Sequence, residues 1–150
     1  MSGFRINAVA GHFSAMEVAA SGLTAERGRM NVIASNLANA HTTRGADGQP
    51  YKRLDPVFSA VPLARGSFDN VLRRVQAVKM TGTQPDQQPG QKVYEPGHPD
   101  ADANGYVEYP NVNVVTEMVN LMTASRAYEA GVTSIESVKS MARSALKIGQ

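Results

Sequence analysis

The sequence predicts a mainly α fold with a small β insertion. Long N- and C-terminal helices are expected to pack as an elongated coiled-coil-like unit, with an antiparallel β-hairpin region between them. Three observations carry this. All eight prolines lie between Pro50 and Pro110, and proline is excluded from helix interiors. Both proline-free ends space apolar residues by alternating threes and fours, the seam of a coiled coil. The middle holds only short patches of period two. The chain therefore divides into a discontinuous helical domain, residues 1–42 and 111–150, and a β-rich inserted segment, residues 43–110.

The first helix is expected from about Gly11 to Asn39. Its seam runs Phe13, Met16, Ala20, Leu23, Arg27, Met30, Ala34 and Leu37, widened by Val9, Ile33 and Ala40. Gly22 and Gly28 each cost such a helix roughly 1 kcal/mol against alanine. Asn39 tolerates the left-handed conformation that ends many helices, so the stop falls there.

The last helix follows the same logic over about 113–148. Its seam is Val114, Met118, Leu121, Ser125, Tyr128, Val132, Ile135, Lys139, Ala142 and Leu146. Asn113 or Asn111 can cap its start. Glu117 near the first turn and Lys147 in the last suit the helix dipole. At about 1.5 Å per residue this helix would span roughly 50 Å, more than the width of a compact globule of this length.

Between the helices, Tyr51–Leu54 and Val57–Val61 read as strand pieces interrupted by Pro56, which suits an edge strand or a bulge. Val71–Met80 alternates loosely. Lys92–Tyr94 and Gly105–Tyr109 are brief strands, and Thr81–Gln91, with two prolines and two glycines, reads as a loop. One hairpin or a three-stranded piece is the expected result.

Composition narrows the chemistry. There is no cysteine, which excludes disulfides, thiol catalysis and cysteine-ligated metals. The net charge is +2, and the insert's eight basic and eight acidic residues cancel. That leaves no single-sign field for nucleic acid. No apolar run reaches the roughly 18 residues of a membrane span, and Met1–Asn7 lacks the pattern of a cleaved signal peptide.

The most site-like stretch is His98–Gly105. Asp100, Asp102, Asn104 and Gly105 match positions 1, 3, 5 and 6 of a calcium loop, with Glu108 at position 9. Position 12, which needs a bidentate carboxylate, is Asn111. A turn leading into a strand accounts for these residues better. A calcium- or metal-dependent protein using the His98–Asp102 loop remains the rival from another class. Nothing suggests a catalytic residue or a cofactor: Ser35 sits inside a helix pattern, His12 and His41 stand alone at helix ends, and no phosphate-binding glycine loop occurs. Arg73 and Arg74 suit a solvated face or a protein interface. Wide apolar stripes on long helices instead call for partners beyond one neighbour, which favours a helical assembly protein over an enzyme.

Several stretches sharpen this. Ser21–Ala25 and Arg29–Thr43, the latter holding Asn31, Ser35 and the Asn-Leu-Ala-Asn run with Asn36, Leu37 and Asn39, closely resemble the N-terminal signature of the bacterial flagellar rod and hook family. Tyr94–Asp102, Gly105–Val107 and Tyr109–Met122, including Pro110, Asn111 and Asn113, look like the proximal-rod branch. Ala124–Ala130 is shared more widely in the family, while Ser67–Lys92 carries little of the likeness. The resemblance implies a non-enzymatic subunit of the proximal rod that self-assembles through its terminal helices into the axial drive shaft. The packing positions would be Phe13, Met16, Leu23, Met30, Ile33, Leu37, Val114, Met118, Leu121, Tyr128, Val132, Ile135 and Leu146. It implies a homo-oligomer in the rod, neighbouring rod proteins and a rod-base adaptor as partners, and no nucleic acid. It further implies type III export without a cleaved signal peptide and a periplasmic place in the basal body. Phe4 and Ala8 fit the family's export-gate spacing loosely. Another rod position, or the hook, is the alternative within the family, and the short insert speaks against the hook.

Overall fold

The computed structural model describes residues 3–63 and 75–148, and of residues 3–14 and Ile148 the backbone alone. The elements run α1 (Gly3–Ala38), β1 (Leu54–Pro62), β2 (Gln76–Pro85), β3 (Gln91–Tyr94), β4 (Tyr106–Tyr109) and α2 (Val114–Ile148). Two long helices thus bracket two small sheets, β1 with β2 and β3 with β4. The described helices contain no segment long and apolar enough to cross a membrane.

The chain groups into two compact units. One draws on Met1–Gly28, Phe58–Thr81 and Ala124–Gln150, the other on Arg29–Val57 and Gly82–Thr123. In the first unit α1 meets α2 closely, since a Cβ at Gly131 would lie 2.7 Å from Leu23 Cδ2. Strand β2 lies against α1: the Val78 N–H donates to Ser21 Oγ at 3.2 Å, and Met80 Sδ occupies the space beside Gly28. Ala25 and Ala124 are buried here. In α2, Ser125, Tyr128, Val132, Ile135 and Ala142 form a half-buried line at helical spacing.

In the second unit β3 and β4 pair antiparallel, with Val93 opposite Val107 and Tyr94 opposite Tyr106. Val107, 1% exposed, is the most buried residue of this sheet. Val32, Ile33 and Ala40 complete the apolar interior of the unit. The cap of α2 is Asn113, whose Oδ1 accepts from Thr116 N–H at 3.0 Å. Asn111, the other candidate, accepts from Arg53 N–H instead.

Several expectations are corrected. Helix α1 starts at Gly3 rather than Gly11; apolar and small residues carry the helical pattern upstream, and Gly11 does not break it. The buried line of α1 is also rotated. Ala20, Arg27 and Ala34 of the expected seam are exposed, while Ala25, Val32 and Asn36 lie inside. The charge of Arg27 keeps that side in water, and hydrogen bonds admit Asn36. Asn39 ends the helix without a left-handed backbone, as no described non-glycine residue has positive φ. Its side chain does the capping, donating to Ser35 O at 2.9 Å and accepting from Thr42 Oγ1 at 3.2 Å.

At the ends of the α2 seam, Val114, Met118, Lys139 and Leu146 are exposed. A helix of 3.6 residues per turn drifts against a strict heptad, and Glu117 takes the inward place near the start. Of Tyr51–Leu54 only Leu54 is strand. Strand β2 runs through Thr81 to Pro85, so the loop shrinks to five residues, 86–90. Pairing with β1 carries the strand past Gly82, and Pro85 stops it. The ribbon is antiparallel, its ends marked by Asp86 N–H to Arg53 O at 2.7 Å and Leu63 N–H to Val75 O at 3.2 Å. There are therefore two hairpin-like pairs rather than one. Of the expected Val71–Met80 strand, residues 71–74 with Arg73 and Arg74 lie outside the described residues, as do the side chains of Phe4, Ala8 and Phe13.

Candidate assembly site

The second unit is organised around a polar cluster where apolar packing would be expected. Asn36, in the last turns of α1, is 1% exposed and uses its amide fully. Its Nδ2 donates to Leu54 O at 2.9 Å and to Glu117 Oε2 at 3.1 Å. Its Oδ1 accepts from Leu54 N–H and from Tyr51 Oη, both at 2.9 Å. A buried amide with two donors and two acceptor sites satisfied is stable in the interior; an unsatisfied one is not. Asn36 therefore closes the last turns of α1 onto the start of β1.

Glu117 enters from the first turns of α2 and is also 1% exposed. Its Oε1 accepts from Arg53 Nε at 2.9 Å, and Asn120 Nδ2 donates to the same oxygen at 3.4 Å. The Arg53 guanidinium spans two carboxylates, since its Nη1 reaches Asp55 Oδ1 at 2.6 Å. Burial by itself would lower the Arg53 pKa. The hydrogen bonds to Glu117 and Asp55 outweigh it, and the net direction is upward. A charge pair removed from water is stable only with such full hydrogen bonding.

A second feature is the turn between β3 and β4. Asp102 Oδ1 accepts the N–H groups of Asn104 at 2.8 Å and Tyr106 at 2.9 Å. The Tyr106 bond is the main reason its carboxyl lies below the usual range. Gly105 has φ +81°. Asp100 Oδ2 accepts from Thr43 Oγ1 at 2.8 Å, its Oδ1 lies 3.5 Å from Arg44, and the Asp100 N–H donates to His98 Nδ1. These carboxylates hold backbone and side chains, and among the described residues no group of three His, Asp or Glu is placed to hold a metal ion. A cleft of about 310 Å³ above the turn is lined by Arg44 and Lys92 but also by Asp100, Asp102 and Glu108. Its mixed charge offers no field for an ion of one sign. Tyr109 donates to Glu95 Oε2 at 3.0 Å, and that bond raises the tyrosine's pKa.

The third feature is apolar and outward. Val115, Met118, Val119 and Met122 recur at i, i+3, i+4 and i+7 along α2 and are 71, 54, 51 and 55% exposed. On the other side of the same turns lie Glu117 and half-buried Leu121.

The residues singled out from the sequence divide accordingly. Asn36, Asn111 and Asn113 join the polar cluster or cap, and Pro110 is buried beside them in sequence. Ser35 and Asn39 serve the end of α1, Leu37 is half-buried and Asn31 is exposed. Met16, Leu23 and Met30 are half-buried, and Ile33 is buried. Arg53 and Tyr51 were read in the sequence only as part of a strand piece, and Glu117 only as a helix-dipole residue. The lone acid among apolar neighbours was the available signal for Glu117. No local signal marked Arg53.

Two long helices bracketing small β elements, joined by a polar clasp and carrying an outward apolar face, define a helical assembly subunit. Two family models match it: Flagella basal body rod protein over residues 16–46, and Flagellar basal body rod FlgEFG protein C-terminal over residues 103–148. Relatives include the flagellar basal-body rod protein FlgC of Borreliella burgdorferi, 46% identical over 93% of this chain and 99% of the relative. FlgC of Salmonella typhimurium is 48% identical over 89% and 95%, and FlgC of Bacillus subtilis 39% identical over 92% and 98%. The chain belongs to the flagellar basal-body rod family, among the FlgC proteins.

Proposed function

We propose that this protein is a structural, non-enzymatic subunit of the proximal flagellar rod, and that it assembles through its terminal helices with further copies and with neighbouring rod proteins. The observation that carries this is the Val115–Met122 face. Four large apolar side chains on one side of a helix whose other side is buried are costly to leave in water, at about 25 cal/mol per Å² of apolar surface. Val114 and Leu146 add exposed apolar area on the same helix. The half-buried seam residues Leu23, Met30, Leu121, Tyr128, Val132 and Ile135 hold the subunit and present their remaining area to neighbours. The family supports a place in the basal body. The rod-base adaptor as partner, the export apparatus, and delivery to the periplasm without a cleaved signal peptide belong to the same proposal.

The test is complementation of a Salmonella typhimurium strain lacking its own FlgC. The unaltered chain should restore swimming. The double substitution Met118→Glu, Val119→Asp should leave a soluble, helical chain that does not. Swimming with the doubly substituted chain would overturn the assignment of this face.

A further inference from the structure

Asn104 is one of nine asparagines and the only one followed by glycine; the others precede Ala, Val or Leu. That neighbour matters chemically. The backbone nitrogen of the next residue can attack the asparagine Cγ once it has lost its proton, and a side chain on that residue obstructs the approach. Glycine does not. The Gly105 N–Cγ bond forms, the Cγ–Nδ2 bond breaks, and ammonia leaves with the proton. Water then opens the five-membered imide at either carbonyl, giving aspartate or isoaspartate at position 104. A neutral amide becomes a carboxylate, and isoaspartate also reroutes the backbone through the side chain.

The fold cannot easily discard the glycine of this pair. Gly105 sits at φ +81°, and a Cβ there would lie 2.9 Å from Tyr94 Cε2 and 3.2 Å from Pro96 Cβ. Asn104 itself is exposed, so water reaches it. What opposes cyclisation is the turn. The Gly105 N–H, which must be lost, donates to Asp102 O at 2.9 Å. The Gly105 carbonyl is held by Glu95 N–H, just past the end of β3, at 2.8 Å. Asp102 Oδ1 fastens the residues on either side through the N–H groups of Asn104 and Tyr106. Its negative charge beside the Gly105 amide also disfavours an anionic nitrogen there.

We propose that Asn104 is a latent deamidation site held closed by Asp102, so that conversion at position 104 marks molecules whose β3–β4 turn has opened. The inference is independent of the rod assignment. Amide chemistry gated by local opening proceeds in proportion to the open fraction. Loss of the two Asp102 side-chain bonds should raise that fraction about tenfold.

The experiment follows amide-to-acid conversion by peptide mass spectrometry in mildly alkaline buffer. The full chain is compared when folded, when unfolded in urea, and as the folded variants Asp102→Ala and Asp102→Asn. Conversion should map to Asn104 and run at least about tenfold faster in urea than in the folded chain. Asp102→Ala should accelerate it about tenfold with helical circular dichroism intact. If that variant loses its helical signal, Asp102→Asn, which keeps a neutral acceptor, is decisive and should give a smaller acceleration. Equal rates folded and unfolded, no acceleration in the decisive variant, or earlier conversion at another asparagine would overturn the proposal.

Discussion

Asn36 near the end of α1 and Glu117 near the start of α2 share a hydrogen bond of 3.1 Å although 81 residues separate them. Neither residue would be chosen for an interior on hydropathy. Together with Arg53, Tyr51 and the backbone of Leu54 they satisfy one another. The start of the second helix is thereby fixed to the end of the first and to the entry of β1.

Truncating Glu117 should therefore be far costlier than its size suggests. Glu117→Ala leaves Arg53 Nε and one Asn36 Nδ2 hydrogen without an acceptor in a buried place, and the loss should be about 3 kcal/mol or more. Glu117→Gln keeps the shape and one acceptor, and should cost about half of that. Urea denaturation midpoints would rank the two. Equal stability of Glu117→Ala and the parent chain would contradict the clasp.

The β3–β4 turn predicts a ranking as well. Gly105→Val meets both an unfavourable positive φ and the Tyr94 ring, and should weaken the hairpin strongly. Asp102→Asn keeps one acceptor oxygen and should be the milder change. Hydrogen exchange at the Glu95 and Tyr106 amides reads this directly, and chelator should alter neither. The reverse ranking would favour a metal loop.

Acid should loosen that turn. The Asp102 carboxyl titrates below its ordinary value because its charged form accepts backbone N–H groups. A depressed folded-state pKa contributes stability that is complete above the ordinary value and is lost as pH falls through the lower, folded value. Amide protection at Asn104 and Tyr106 should hold steady above pH about 4 and fall below it. In Asp102→Asn this step should vanish.

Two glycines should respond with opposite signs. Gly22 lies inside α1 with nothing within 4 Å of an added Cβ, so Gly22→Ala should stabilise by roughly 0.5–1 kcal/mol. At Gly90 a Cβ would collide with the Tyr109 carbonyl oxygen, which a backbone cannot easily vacate. Gly90→Ala should destabilise by about 2 kcal/mol. Thermal melts of the pair distinguish the two.

How much of this was written in the sequence depends on range. Proline placement marked the helices because the rule is local, and the inward line of α2 from Leu121 to Ala142 follows apolar spacing. The phase of α1 was misread because Asn36 turns inward through partners that spacing cannot display. The same holds for Arg53 and Glu117, 64 residues apart. Gly82 and Pro85 looked like loop residues, yet a paired neighbour carried β2 through Gly82 and as far as Pro85. The Asp102–Gly105 turn was legible since the partners of the Asp102 side chain lie within four residues.

Helix α2 between Val115 and Ala124 has two occupations on opposite sides of one cylinder. Glu117, Leu121 and Ala124 face the subunit's own interior, whereas Val115, Met118, Val119 and Met122 face away. A substitution scan along these ten positions would therefore trace two waves of the same 3.6-residue wavelength. Loss of folding would crest where loss of assembly is at its trough. Neighbouring positions such as 117 and 118, or 121 and 122, would fall on different waves, about 100° apart around the helix. Drift on the outward wave could retune the contacts between subunits while the subunit itself stays unchanged.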